Sequence, residues 1–376
     1  MSSESKNSLV RMRVDHIGSL LRPAGLQETI VRYNQKQATR EELTSAQDEA
    51  IRDVIAKQEA HGLPVVNDGE FRRLTFQDSF ISCIKGFKFG ITTLKVAGES
   101  ERGAIEAIPD LIARRPVTER ISFVQNLPLQ EFLFAQGVAK QPTKVTILSP
   151  DRVSQRFDVH KSRGVYSSKE GFLADVVAIE RRLVSELVAA GCRYIQIDAP
   201  SYTAYTDPRL LHEMREHGED PMGNLAQSIR ADNAIIDGFP EVTFGIHLCR
   251  GNRPGGERRQ GTYDAIAERL FTNLKHDRIL LEYDSDRAGG FEPLRIIPKG
   301  KVAVLGLITT KNPHVENLDD LKRRVEEASK CLPLDQLALS PQCGFSGGAV
   351  GVKATTEDVQ WRKIDRMMET AAQVWN

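Results

Sequence analysis

Short, almost wholly apolar runs recur along this chain, and nearly every one stops at a side chain capable of chemistry. Residues 144–148, 194–197, 242–246, 278–281, 301–305 and 337–339 are rich in valine, isoleucine and leucine. They lack the polar alternation of a strand with one face in water, so they read as strands buried on both faces. Between and around them, residues 40–60, 171–190, 223–237, 263–274, 318–328 and about 356–371 carry apolar side chains at helical spacing. Two further strands are expected at 14–20 and 64–66. Strand followed by helix, repeated over eight strands, predicts an α/β fold: a parallel sheet covered by helices and closed into a single (β/α)8 TIM barrel. An open doubly wound sheet competes, but it favours a Gly-x-Gly-x-x-Gly after its first strand, and none stands there.

The expected organisation is a disordered polar tail over residues 1–10 and one barrel catalytic domain over 11–376. Residues 83–135 break the alternation. They read as an inserted excursion after the second strand, a small β-hairpin with a helix, covering one barrel mouth. No internal repeat or linker divides the chain.

Composition limits the partners. Acidic and basic residues balance at 51 each, which argues against nucleic acid. No apolar run approaches the roughly 18–20 residues of a membrane span, and the first residues lack the apolar core of a secretory signal. Five cysteines, an odd number in a 376-residue chain, fit a reducing cytoplasm and thiols free for metal or chemistry. A homo-oligomer is left open.

In a barrel of this kind the active site lies at the C-terminal strand ends. Ser19, Glu70, Asp198, His247, Cys249, Glu282, Lys311 and Cys343 all fall there. His247 and Cys249, two apart in extended backbone, point the same way. With Glu282 and Cys343 from the ends of the sixth and eighth strands, they make a donor set suited to tetrahedral Zn2+. Two thiolates and a carboxylate leave such a site anionic, which favours thiolate chemistry over water activation. Ligands spread over three strands also differ from the paired ligands of a closed structural zinc site. Cys83, Cys192 and Cys331 have no such neighbours and read as structural thiols.

Taken together, His247-Leu-Cys249-Arg-Gly-Asn, Leu281-Glu282-Tyr-Asp, Ser340-Pro-Gln-Cys343-Gly-Phe, Ile195-Gln-Ile-Asp198 and Val14-Asp-His-Ile-Gly-Ser19 resemble the catalytic barrel of cobalamin-independent methionine synthase. The short single-barrel members of that family are the nearer likeness, over most of residues 12–375. The resemblance implies zinc on His247, Cys249, Glu282 and Cys343. It implies a homocysteine-like thiol substrate, with Ser19 near its carboxylate and Glu70 and Asp198 near its ammonium, and a methyl donor such as a methyl-folate. Two departures bear on the donor. The sequence lacks the additional N-terminal barrel of the full-length synthase, and Lys311 stands where that enzyme has a proton-donating histidine. Lys311 is then a catalytic cation or acid, or an anion-binding residue. Arg250, Arg287 and Arg295 are candidates for a substrate anion. The alternatives are alkyl transfer to another thiol, such as epoxide opening by coenzyme M as in epoxyalkane–coenzyme M transferase, and a uroporphyrinogen decarboxylase-like barrel, which needs no zinc.

Overall fold

A computed structural model describes residues 3–89, 114–251, 259–349 and 354–375. Three helices precede any ladder: α1 (Ser3–Val10), α2 (Ala24–Asn34) and α3 (Arg40–Ala60). A reciprocal cap starts α3: the Glu42 N–H donates to the Thr39 side chain, and the Thr39 N–H donates to the Glu42 carboxylate. Leu43, Ala50, Ile51, Val54 and Ile55 then form its buried face. After a one-turn helix, α4 (Asp78–Ile81), β1 (Ile84–Lys85) pairs antiparallel with β2 (Ser122–Phe123).

From α5 (Leu127–Val138) onward, strand and helix alternate. They are β3 (Lys144–Leu148), α6 (Pro150–Gln155), α7 (Lys169–Ala189), β4 (Tyr194–Asp198), α8 (Pro208–Glu216), α9 (Pro221–Ile236), β5 (Thr243–Leu248), α10 (Ala267–Phe271), β6 (Arg278–Glu282), β7 (Val302–Ile308), α11 (Leu318–Ser329), β8 (Leu337–Pro341) and α12 (Glu357–Val374). β3 to β8 form one parallel ladder in chain order. Every residue in it is buried, as the unbroken apolar runs require.

The first two barrel positions are weaker than expected. Each is a single parallel bridge: Val14 to Leu339 of β8, and Val66 to Thr143 beside β3. Side chains replace the missing ladder bonds. The Gln58 amide accepts from the Asn67 N–H at 3.1 Å and donates to the Asn67 carbonyl at 2.7 Å. Asn67 Nδ2 then donates to the Gly18 carbonyl at 2.9 Å, and the Leu20 N–H to the Gly69 carbonyl at 3.2 Å. The two segments so join the sheet edges, and the fold is a (β/α)8 barrel.

Three expectations change. Within the expected tail, residues 3–10 form α1 and Leu9 is buried; residues 1–2 lie outside the described residues. The reason lies at the barrel's floor, where Arg278 Nη1 donates to the carbonyls of Val10 at 2.5 Å and Met12 at 3.1 Å. A buried guanidinium needs acceptors, and the tail supplies them. The helix of the excursion, α5, packs on β3, α3 and α7 and so belongs to the barrel's outer layer. Residues 90–113 of the excursion lie outside the described residues. Last, the link from β6 to β7 has two 3-10 turns and no α-helix, punctuated by Gly289, Gly290, Pro293 and Pro298.

The interior is polar at its floor. Lys144 and Arg278 flank Asp15, at 2.7 and 3.1 Å, and the Tyr194 hydroxyl donates to the same carboxylate at 2.5 Å. These charged groups are fully buried and pair with one another. Lys144, Tyr194 and Arg278 each open a strand, so the network ties three strands to the first barrel segment.

Candidate metal centre and substrate site

Register places the chemistry. Side chains alternate along a strand, so residues paired across the ladder share a face. Leu148 lies opposite Asp198, and Asp198 opposite His247. Cys249 follows β5 directly, and Cys343 stands two residues beyond β8. The ligand atoms of His247, Cys249 and Cys343 come within 4.8 Å of one another, close enough to share one ion.

The electrostatics fit a cation there. His247 is buried, and neither ring nitrogen has a hydrogen-bond partner of regular geometry. Burial disfavours its imidazolium, but the Cys249 sulfur and the Asp198 and Glu282 charges outweigh that and raise its pKa. The two sulfurs act on one another in opposite senses. The Cys343 thiol, His247 and the Gly251 N–H hold the Cys249 thiol well below its usual range, while the same contact pushes the Cys343 thiol up. Two sulfurs and one imidazole nitrogen are a zinc donor set. Burial, with the Glu180 and Glu131 charges adding to it at Cys83, pushes the Cys83 and Cys192 thiols to about 12, as inert structural cysteines should be.

Glu282 ends β6 but is not drawn into this cluster. Its Oε1 accepts from Arg287 Nη2 and Lys311 Nζ, each at 2.7 Å, and its Oε2 accepts from the Arg250 N–H at 2.8 Å. Lys311 also pairs with Asp284 at 3.0 Å. The sequence offered these groups as a ligand and as separate anion-binding cations; the structure binds them to each other. The Arg250 guanidinium turns onto the Gly261 carbonyl and the Tyr263 ring. Arg295 is exposed on a 3-10 turn.

The other expected residues converge on the same mouth. Ser19 Oγ donates to the Ser346 carbonyl at 2.8 Å. It packs so tightly on Gly344 that a Cβ there would lie 2.0 Å from its oxygen. Gly18, at φ +140°, lets the backbone pass over Glu70: a Cβ would meet Glu70 Oε1 at 2.9 Å. Glu70 itself has φ +61°, a left-handed conformation that costs a non-glycine residue about 1–2 kcal/mol. Asp68 Oδ1 accepts its N–H at 2.9 Å, and Thr146 Oγ1 donates to its Oε1 at 2.7 Å. Asp198 accepts from Gln196 Nε2 at 2.7 Å. Burial, then the Glu70 charge, pushes its carboxyl up to about 7.

Sequence reasoning missed the groups that hold these. Arg73 Nη2 pairs with Glu131 at 2.6 Å, and its Nη1 reaches Glu70 at 3.3 Å and Thr146 at 2.8 Å. Nothing in the sequence marks Glu131 as its partner, 58 residues away. The arrangement offers adjacent soft donors and, beside them, two carboxylates able to take an ammonium.

The family profile for the cobalamin-independent synthase catalytic domain matches residues 13–372. YxjG of Bacillus subtilis (strain 168), itself uncharacterized, is 34% identical over 96% of this chain and 94% of its own. A candidate vitamin-B12-independent methionine synthase of Listeria monocytogenes superposes with a TM-score of 0.71 at 27% identity, covering 97% of this chain and 98% of that one. A B12-independent methionine synthase of Shewanella sp. W3-18-1, solved with selenomethionine, shares the fold at TM-score 0.72 and 21% identity, covering 96% and 97%.

Proposed function

Because this chain belongs to the cobalamin-independent synthase family of methionine synthase-like methyltransferases, we propose that it is a zinc-dependent S-methyltransferase acting on a homocysteine-like thiol in the cytoplasm. The observation that carries the reading is the convergence of His247, Cys249 and Cys343 within 4.8 Å at the barrel mouth. Those three residues would hold the zinc, and Glu282 would serve as the fourth, exchangeable ligand. A zinc ion there supplies the Lewis acidity that lets the acceptor thiol lose its proton near neutral pH, where a free thiol has a pKa of about 8.5. Asp198 and Glu70 take the substrate ammonium, and Ser19 lies where its carboxylate is expected. In the transfer a sulfur–carbon bond forms as the donor's bond to the methyl carbon breaks. Lys311, with its proton held between Glu282 and Asp284, positions Glu282 and stands where the leaving group takes a proton. No helix among the described residues is long and apolar enough to cross a membrane.

Alkylation of a different thiol, as in epoxide opening by coenzyme M, is the second reading. It is favoured by Lys311 at the position of the family's proton-donating histidine. Metal analysis of the native protein and of Cys343→Ser tests the core proposal: one zinc per native chain, and a clear loss in the variant. A thiol screen, with homocysteine and coenzyme M each offered methyl-folate, methylcobalamin and epoxides, separates the two readings. Native protein free of zinc, or a variant that keeps it fully, would overturn both.

A further inference from the structure

Charge at the mouth does not balance. Arg73 is committed to Glu70 and Glu131, and Arg287 and Lys311 to Glu282. Arg152 has no such partner. It lies on α6, directly after β3, and is 8% exposed. Among the described residues its guanidinium makes no hydrogen bond and no ion pair, and its Nε is sealed from solvent. Its neighbour in sequence, Asp151, is turned away, accepting from Ser228 Oγ, from the Tyr205 hydroxyl at 3.3 Å and from Gln155 Nε2 at 3.3 Å.

More positive charge surrounds it instead. Burial, then Arg156 and Arg259, hold the Arg152 guanidinium well below its usual pKa; Cys249 is the first attraction it feels. Arg259 is tied to the same place. Its Nη1 donates to the Pro200 carbonyl and, at 3.0 Å, to Thr203 Oγ1, which donates to the Cys249 carbonyl at 2.8 Å. The buried Arg152 guanidinium therefore stands unpaired with two further arginine charges acting on it, one of them tied through Thr203 to the Cys249 backbone. Arginine does not shed its proton in proteins, and a buried unpaired charge is strongly destabilising. An oxyanion removes that strain, and the planar fork of arginine suits one bidentately.

We infer that Arg152, flanked by Arg156 and Arg259, is a subsite for an oxyanion group, whether carboxylate, sulfonate or phosphate, carried by the thiol or by its methyl or alkyl donor. The inference rests on the transferase reading only for which molecule carries the anion. It moves anion recognition from Arg250, Arg287 and Arg295 to Arg152 in the helix that follows β3.

Zinc-loaded native protein, Arg152→Leu and Arg152→Lys test it, with inorganic pyrophosphate as the first probe in calorimetry and thermal melts. Pyrophosphate should stabilise the native protein, less so as salt rises. Arg152→Leu should keep its zinc, melt higher than native protein without anion, and lose about tenfold or more in pyrophosphate affinity. Arg152→Lys should retain part of that affinity. Paired probes then name the carrier. If native protein prefers 2-sulfanylethanesulfonate over 2-sulfanylethanol and Arg152→Leu does not, the thiol carries the anion. If the lost preference is for pteroyltriglutamate over the monoglutamate, the donor carries it. Arg152→Leu binding pyrophosphate as native protein does, or Arg152→Lys melting lower with affinity unchanged, overturns the subsite. Absence of methyl transfer with pyrophosphate binding intact overturns the proposed function and leaves the subsite standing.

Discussion

Asp198 shows how much one side chain's surroundings decide. It ends β4 beside His247, yet its contacts are Gln196 and the field of Glu70. Two carboxylates facing one space suit an ammonium, and a charged hydrogen bond of that kind contributes about 1.5–3 kcal/mol. Asp198→Asn should therefore keep its zinc and lose roughly 10- to 150-fold in kcat/KM for an amino-acid thiol. Assay beside a thiol lacking the amine checks this: an equal loss for both would remove Asp198 from ammonium recognition. Arg73 is decided the same way. Buried with Glu131 and Glu70, it is half of an ion pair with no solvent to replace it. Arg73→Met should destabilise the fold by about 3–5 kcal/mol, read by urea unfolding, because two carboxylates lose their cation.

At the scale of elements, α1 supplies acceptors to a buried charge on β6, and the outer helices carry buried charge of their own. Deleting residues 3–10 would strip Arg278 of the Val10 carbonyl and uncover the floor. A melting temperature lowered by several degrees is expected, with the ladder retained by circular dichroism. The packing of α6, α7 and α9 makes a pH-dependent element. Asp232 on α9 accepts from the Tyr202 hydroxyl at 2.5 Å and from Ser149 Oγ at 2.9 Å. Burial, opposed by Tyr202 and Ser149 and aided by the Asp151 charge, pushes its carboxyl up to about 8. The folded state therefore binds this proton more tightly than the unfolded chain, whose aspartate titrates near 3.9. Its contribution is most favourable below about pH 4 and is lost progressively up to about pH 8, then stays level. Asp232→Asn should flatten that slope in urea titrations run across pH. An unchanged slope would show that Asp232 is ionised in the folded protein at neutral pH.

At the scale of the whole molecule, the candidate metal ligands sit on a frame that should stand without the ion. His247 and Cys249 come from β5 and its end, Cys343 from beyond β8, and the ladder between those strands is buried and continuous, with one register shift between Gly306 and Ile308 of β7. Chelation should leave the far-ultraviolet circular dichroism intact. The melting temperature should fall only a few degrees, since a ligand at a hundredfold excess over Kd adds about 2.7 kcal/mol, spread over the unfolding entropy of a large barrel. Unfolding on chelation would show that zinc holds the strands together.

Much of this was legible in the residues. The unbroken apolar runs could only be strands buried on both faces, so a helix-covered parallel barrel followed from them. Period-two geometry put His247 and Cys249 on one face and Asp198 beside them, and polar strand ends marked the mouth. Tertiary structure decided the pairings. Glu282 meets Arg287 and Lys311, Arg73 meets Glu131, and α1 plugs the floor, because buried charges choose partners by position in space and those partners lie 5 to 268 residues apart. Sequence pattern records which side chains leave water; only the closed barrel fixes which of them must then satisfy one another.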